Sequence, residues 1–99
     1  MLEIYLNLPS TIIGGYLVVY GHTTINSNDI KVSCQISQEF LEDISGGRTD
    51  YFQIFKDNCF SIEILAENKL STNRDVDRSG ELIKIKILAI DKNEFDSLC

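Results

Sequence analysis

The hydrophobic period of this chain changes twice, and that limits what it can fold into. Over residues 2–8 the side chains alternate, with Leu2, Ile4, Leu6 and Leu8 on one side and Glu3, Tyr5 and Asn7 on the other. Alternation returns at 29–36, where Ile30, Val32, Cys34 and Ile36 face inward. It returns again at 81–90, where Ile83, Ile85 and Ile87 face inward and Lys84 and Lys86 outward. A period of two marks a half-buried strand. Between these blocks, Phe52, Phe55, Cys59, Ile62, Ala66 and Leu70 recur at spacings of three and four, the stripe of an amphipathic helix. A chain with both periods buries helix against sheet.

The remaining segments fill in the order. Pro9-Ser10 ends the first strand. Residues 12–21 are rich in aromatic and β-branched side chains and read as a second strand, with Gly14-Gly15 as a bulge or the turn itself. His22 to Asn28 is polar and reads as a loop. Ser37 is placed to cap a short helix, with Glu39 in its first turn and Phe40, Leu41 and Ile44 inward. Gly46-Gly47 stops that helix. Asp50 with Gln53 resembles a capping box at the start of the long helix. Lys56, Asp57, Glu63, Glu67 and Lys69 fall mostly on its solvent side. Residues 71–80 read as a charged loop, and Lys84 and Lys86 protect the last strand from edge pairing. The tail, 92–99, has only Phe95 and Leu98 as anchors and either docks or frays. The expected fold is α+β: a single domain over 1–99, a two-layer sandwich of an antiparallel sheet of about four strands. A short and a long helix pack on one face, in the order β-β-β-α-α-β.

Composition narrows the function. The 99 residues carry a net charge of −6, with nine basic side chains and no basic cluster, which disfavours direct nucleic-acid binding. No run of about 18 apolar residues is present to span a membrane. The opening MLEIYLNLPS has Glu3 where a signal peptide carries bases, so a cytoplasmic location is expected. Cys34, Cys59 and Cys99 are odd in number and widely spaced, a pattern of free thiols. Two are expected to be buried, and Cys99 exposed.

Over residues 32–83 a further pattern stands out: Val32, Cys34, Ile36 and Ser37, then Leu41, Phe55, Asn58, Ile62, Ala66-Glu67, and Gly80 before Ile83. It resembles domain-of-unknown-function family 1488, a group of small single-domain bacterial proteins. The resemblance implies strands first and then a helical hairpin. The family has no established biochemical role, so it implies no catalytic residues.

No catalytic or metal constellation emerges from the residues, and no cofactor is expected. His22 is the single histidine, and alternation puts Cys34 in the core, where a thiol is inert. Asp75-Val76-Asp77 matches a calcium loop at two positions only, and the run Arg74 to Arg78 reads as local ion pairs on a solvated turn. Glu39, Glu42 and Asp43 read as surface acids. Arg48, after Gly46-Gly47, is the candidate anion contact, able to pair with a carboxylate or phosphate. The outward sheet face is the candidate interface, carrying Tyr5, Lys84 and Lys86 and, from the second strand, either Tyr16 and Tyr20 or their neighbours, since tyrosine is enriched where proteins meet. The expected function is a small, non-catalytic protein-binding or regulatory module whose partner is protein, another chain or a second copy in a homodimer. The alternatives are an acidic antagonist of a nucleic-acid-handling protein, of the phage or mobile-element type, and a small-ligand binding domain.

Overall fold

A computed structural model describes residues 3–7, 9 and 11–98. Leu2 and Leu8 of the expected first strand, and the Cys99 thiol, lie outside the described residues. The elements are β1 (Ile4–Leu6), β2 (Thr11–Ile13), β3 (Tyr16–Ile25), β4 (Asn28–Ser37), α1 (Gln38–Ser45), α2 (Tyr51–Asp57), α3 (Cys59–Thr72), β5 (Val76–Asp77), β6 (Ile83–Ile87) and α4 (Lys92–Asp96). A 3-10 turn, Ala89–Asp91, joins β6 to α4.

The fold is mixed α+β, but its sheet is larger than expected. It has six strands among the described residues, in the order β1-β3-β4-β6-β5, with β2 also on β3. Nor is it wholly antiparallel, because β6 lies parallel to β4, Val32 opposite Ile83. Three helices separate those two strands, and a crossover of that length brings the chain back in the same direction. The expected loop at 22–28 is mostly strand. Asn26 and Ser27, both at positive φ, form a two-residue turn between Ile25 and Asn28. His22 and Thr24 are exposed while Thr23 is buried, so a half-polar strand end reads as loop. Gly14 and Gly15, at φ 58° and 84°, make the corresponding turn between β2 and β3.

Gly21 admits β1. A Cβ there would lie 2.2 Å from the Tyr5 carbonyl oxygen and 3.0 Å from the Leu6 Cα. No side chain fits, and β1 packs flush against the middle of β3.

The expected long helix is two. Asn58, at φ −121°, breaks it, and its side-chain amide donates to the Ile54 carbonyl at 2.8 Å. A side chain that competes for backbone acceptors ends α2 there. Phe52 stands out of the stripe at 44 % exposed, while Ile54, Phe55, Ile62, Leu65, Ala66 and Leu70 are buried. Neither expected N-cap forms. The Asp50 carboxylate takes Arg48 instead, and Gln53 donates to Asp57. The Ser37 side chain makes no cap, and the strand-to-helix junction is tied by Gln38 N–H to the Gly15 carbonyl at 2.9 Å.

One apolar cluster joins the sheet's inner face to the helices. Leu17, Val19, Val32, Cys34, Ile36 and Ile85 meet Phe40, Leu41, Ile62 and Leu65 there, all fully buried. The tail docks: Phe95 of α4 is buried edge-on against Phe40, ring centroids 5.4 Å apart. Among the described residues no helix is long and apolar enough to cross a membrane.

Candidate functional site

The inner face of the sheet is filled, and its outer face is not covered by helices. Register fixes what stands on that face. Tyr5 is opposite His22 and His22 opposite Lys31. Tyr20 is opposite Ser33 and Ser33 opposite Lys84. Val18 is opposite Gln35 and Gln35 opposite Lys86. Side chains directly opposite share a face, so these three rows run across it. The five residues expected at an interface, Tyr5, Tyr16, Tyr20, Lys84 and Lys86, therefore stand on one surface. Tyr5 and Tyr20 are 53 % and 46 % exposed.

The aromatic groups on this face are held in place by their neighbours. The Tyr5 ring stacks on His22 at 5.6 Å and 28°, and the Lys86 ammonium lies 5.7 Å from the centre of the Tyr16 ring. Between Tyr16, Tyr20, Ser33 and Lys84 is a shallow hollow of about 380 Å³ floored by Val18. None of the ion pairs among the described residues includes Lys31, Lys84 or Lys86. The Asp77 carboxyl lies below its ordinary pKa, mainly through hydrogen bonds from the Ser79 hydroxyl and N–H, with a smaller contribution from Lys84 and Lys86. Lys84 and Lys86 do not guard a bare edge, because β5 pairs with β6 at Lys84 and Ile85.

Arg48 is engaged by its own chain. Its Nε donates to Asp50 Oδ1 at 3.0 Å, and the pair makes a second contact through Oδ2. That hydrogen bond holds the Asp50 carboxyl below the ordinary range. His22 and Cys34 lie on opposite faces, so they form no nucleophile–base pair. Burial pushes the Cys34 thiol up to about 12. Cys59 is only partly buried, against the expectation of two core thiols. The charges at 74–78 do not pair locally, since Asp75 meets Lys69 and Arg74 meets Glu94. Among the described residues no group of three His, Cys, Asp or Glu side chains could hold a metal. Glu42 of the α1 acids accepts the Tyr51 hydroxyl.

Two arrangements on α3 escaped the sequence reading. Lys69, expected in solvent, is fully buried, with its ammonium 2.6 Å from both Asp75 and Asp91. Asp91 also accepts the Leu88 N–H at 2.8 Å. At the other end of the sheet, Glu67 Oε2 accepts the Ile4 N–H at 2.9 Å and Glu63 Oε2 the Leu6 N–H at 2.7 Å. The i,i+4 spacing of Glu63 and Glu67 was the only available signal, and it reads equally as a solvated face. A groove of about 570 Å³ runs between β1 and α3, lined by Glu3, Tyr5, Phe60, Glu63, Ile64 and Glu67 among others.

Compared with family models, curated proteins and solved structures, the chain matches none of them.

Proposed function

We propose that this protein is a small, non-catalytic protein-binding module that lays its open sheet face on an acidic surface of a partner protein. The observation that supports this reading is the convergence of Tyr5, Tyr16, Tyr20, Lys84 and Lys86, from three different strands, on one uncovered face. Lysines outside the ion pairs of the described residues, beside half-exposed tyrosines, suit carboxylates flanked by apolar surface. Charge complementarity favours another protein over a second copy of this −6 chain. The reading keeps the cytoplasm as its compartment and agrees with the resemblance over residues 32–83, which implies no catalytic residues.

The test compares capture from native lysate, under nuclease and reducing agent, for the wild-type chain, Tyr5→Ala/Tyr20→Ala, Lys84→Glu/Lys86→Glu and the distant control Ile90→Ala. Ile90 is 82 % exposed and off this face. The reading holds if one stoichiometric protein is kept by the control and lost by both sheet-face variants. A partner kept by all variants refutes it, as does loss of the sedimentation shift of a self-dimer in those variants.

A further inference from the structure

The groove between β1 and α3 shares Tyr5 with the sheet face but is otherwise chemically unlike it, and it carries its own inference. Its walls hold three carboxylates, Glu3, Glu63 and Glu67, and no ion pair among the described residues includes any of them. Desolvation first, and then the neighbouring Glu63 and Glu3, keep the Glu67 carboxyl above its ordinary value although the hydrogen bond from the Ile4 N–H pulls it down, so their mutual repulsion is only partly offset. Its apolar part is Phe60, 75 % exposed on the α3 rim, with the partly buried Ile64 one turn further on. An aromatic face beside a negative field suits a cation on an aliphatic stem, which lies along the ring and sends its head group to the carboxylates.

The backbone narrows the mode of binding. A peptide that joins a sheet as an extra strand needs the outward N–H groups of the edge. Here the Ile4 and Leu6 N–H groups are already given to Glu67 and Glu63. A partner must therefore dock through its side chains, and the same two hydrogen bonds fix the carboxylates in advance of binding. We infer that this groove docks an arginine- or lysine-bearing segment of a partner protein, its cation held by Glu63 and Glu67 and its aliphatic stem and neighbours by Phe60 and Ile64. The module would then carry two binding surfaces of opposite preference, a lysine–tyrosine sheet face and an acidic groove.

The experiment titrates the full isotope-labelled chain with a synthetic peptide of repeated Arg-Leu-Ser units, followed by amide chemical shifts. Counterparts are a Gln-Leu-Ser peptide and spermidine. Expected are shifts confined to 4–6 and 60–71, about tenfold weaker binding for Glu63→Gln/Glu67→Gln, and weaker binding for Phe60→Ala. Glutamine still accepts the β1 N–H groups, and Phe60 is a surface residue, so both variants keep the fold. Binding should weaken as salt rises from about 0.05 M to about 0.5 M, through screening. The inference is overturned if shifts spread over all acidic surfaces and Glu39→Gln/Asp43→Asn weakens binding equally. It is overturned too if the Gln-Leu-Ser peptide binds as well, if spermidine reproduces the shifts at the same concentration, or if the arginine peptide causes none.

Discussion

Helix α3 holds both edges of the sheet with charged side chains, under opposite conditions of burial. At the β1 edge, Glu63 and Glu67 reach from a half-exposed helix face to two backbone N–H groups. At the β5 edge, Lys69 is fully buried between Asp75 and Asp91, and ties α3 to the loop before β5 and to the turn after β6. The first grip leaves carboxylates in a solvent-filled groove, open to another molecule. The second buries the Lys69 ammonium and the Asp91 carboxylate, and only Asp75 on its outer side meets solvent. Burial, more than charge, separates a place where this helix only holds its own sheet from a place where it also faces outward. Coulomb attraction between buried partners is strong, and so is the cost of leaving one of them alone.

The largest effect is expected at the sealed edge. Lys69→Met keeps the side chain's bulk and leaves Asp91, 6 % exposed, without its cation. Removing one partner of a buried pair costs about 3–5 kcal/mol, a large share of the roughly 5–15 kcal/mol that holds a domain together. Urea unfolding should show the midpoint collapse. Lys69→Met/Asp91→Asn should recover most of the loss, because asparagine can still accept the Leu88 N–H without a charge. If Lys69→Met unfolds at the wild-type midpoint, the two edges do not differ as argued.

The open edge is next. Gly21→Ala sets a methyl group against β1 backbone, where no flexible side chain can give way. Overpacking of this kind costs about 1–3 kcal/mol. The loss should be local: amide exchange at Ile4 and Leu6 rises sharply, while amides around Lys69 stay protected. Equal loss of protection at both edges would mean that the sheet opens as one unit and that α3 has no separable grips.

The two faces of the sheet were legible to different degrees. Period-two alternation identified the buried side of β4 and β6 and, by the same pattern, put Tyr5, Lys84 and Lys86 on the other side. That worked because a side chain's face follows directly from its parity along a strand. Parity says nothing of pairing partners, so the parallel contact of β6 with β4 and the short β5 were missed. Strand β3 was cut short at Gly21 because the exposed half of His22–Ile25 is as polar as a loop. The helix break at Asn58 was invisible because a single side-chain amide decides it, against an unbroken apolar stripe. Lys69 was misplaced for a related reason. Its partners, Asp75 and Asp91, belong to segments whose return to α3 is a property of the whole fold.

The smallest effect concerns Glu67 and separates its charge from its hydrogen bond. Burial and the nearby carboxylates raise its folded pKa above the ordinary value it regains on unfolding. Between those two values the folded chain binds more protons than the unfolded one, so stability falls as pH rises through that window. Above it the penalty on the ionised carboxylate is fully present, and below it the penalty is gone. Glu67→Gln keeps an acceptor for the Ile4 N–H and removes the titration. The wild type should therefore gain stability relative to Glu67→Gln as the pH is lowered from neutral into the carboxylate range. The gain should be about 0.5 kcal/mol or less, since solvent screens this half-exposed group. Paired thermal-unfolding curves across that range read the difference directly. A wild type that instead loses ground to the glutamine variant on acidification would show that the Ile4 hydrogen bond outweighs the repulsion. The groove would then hold a satisfied carboxylate with little electrostatic reason to recruit a cation.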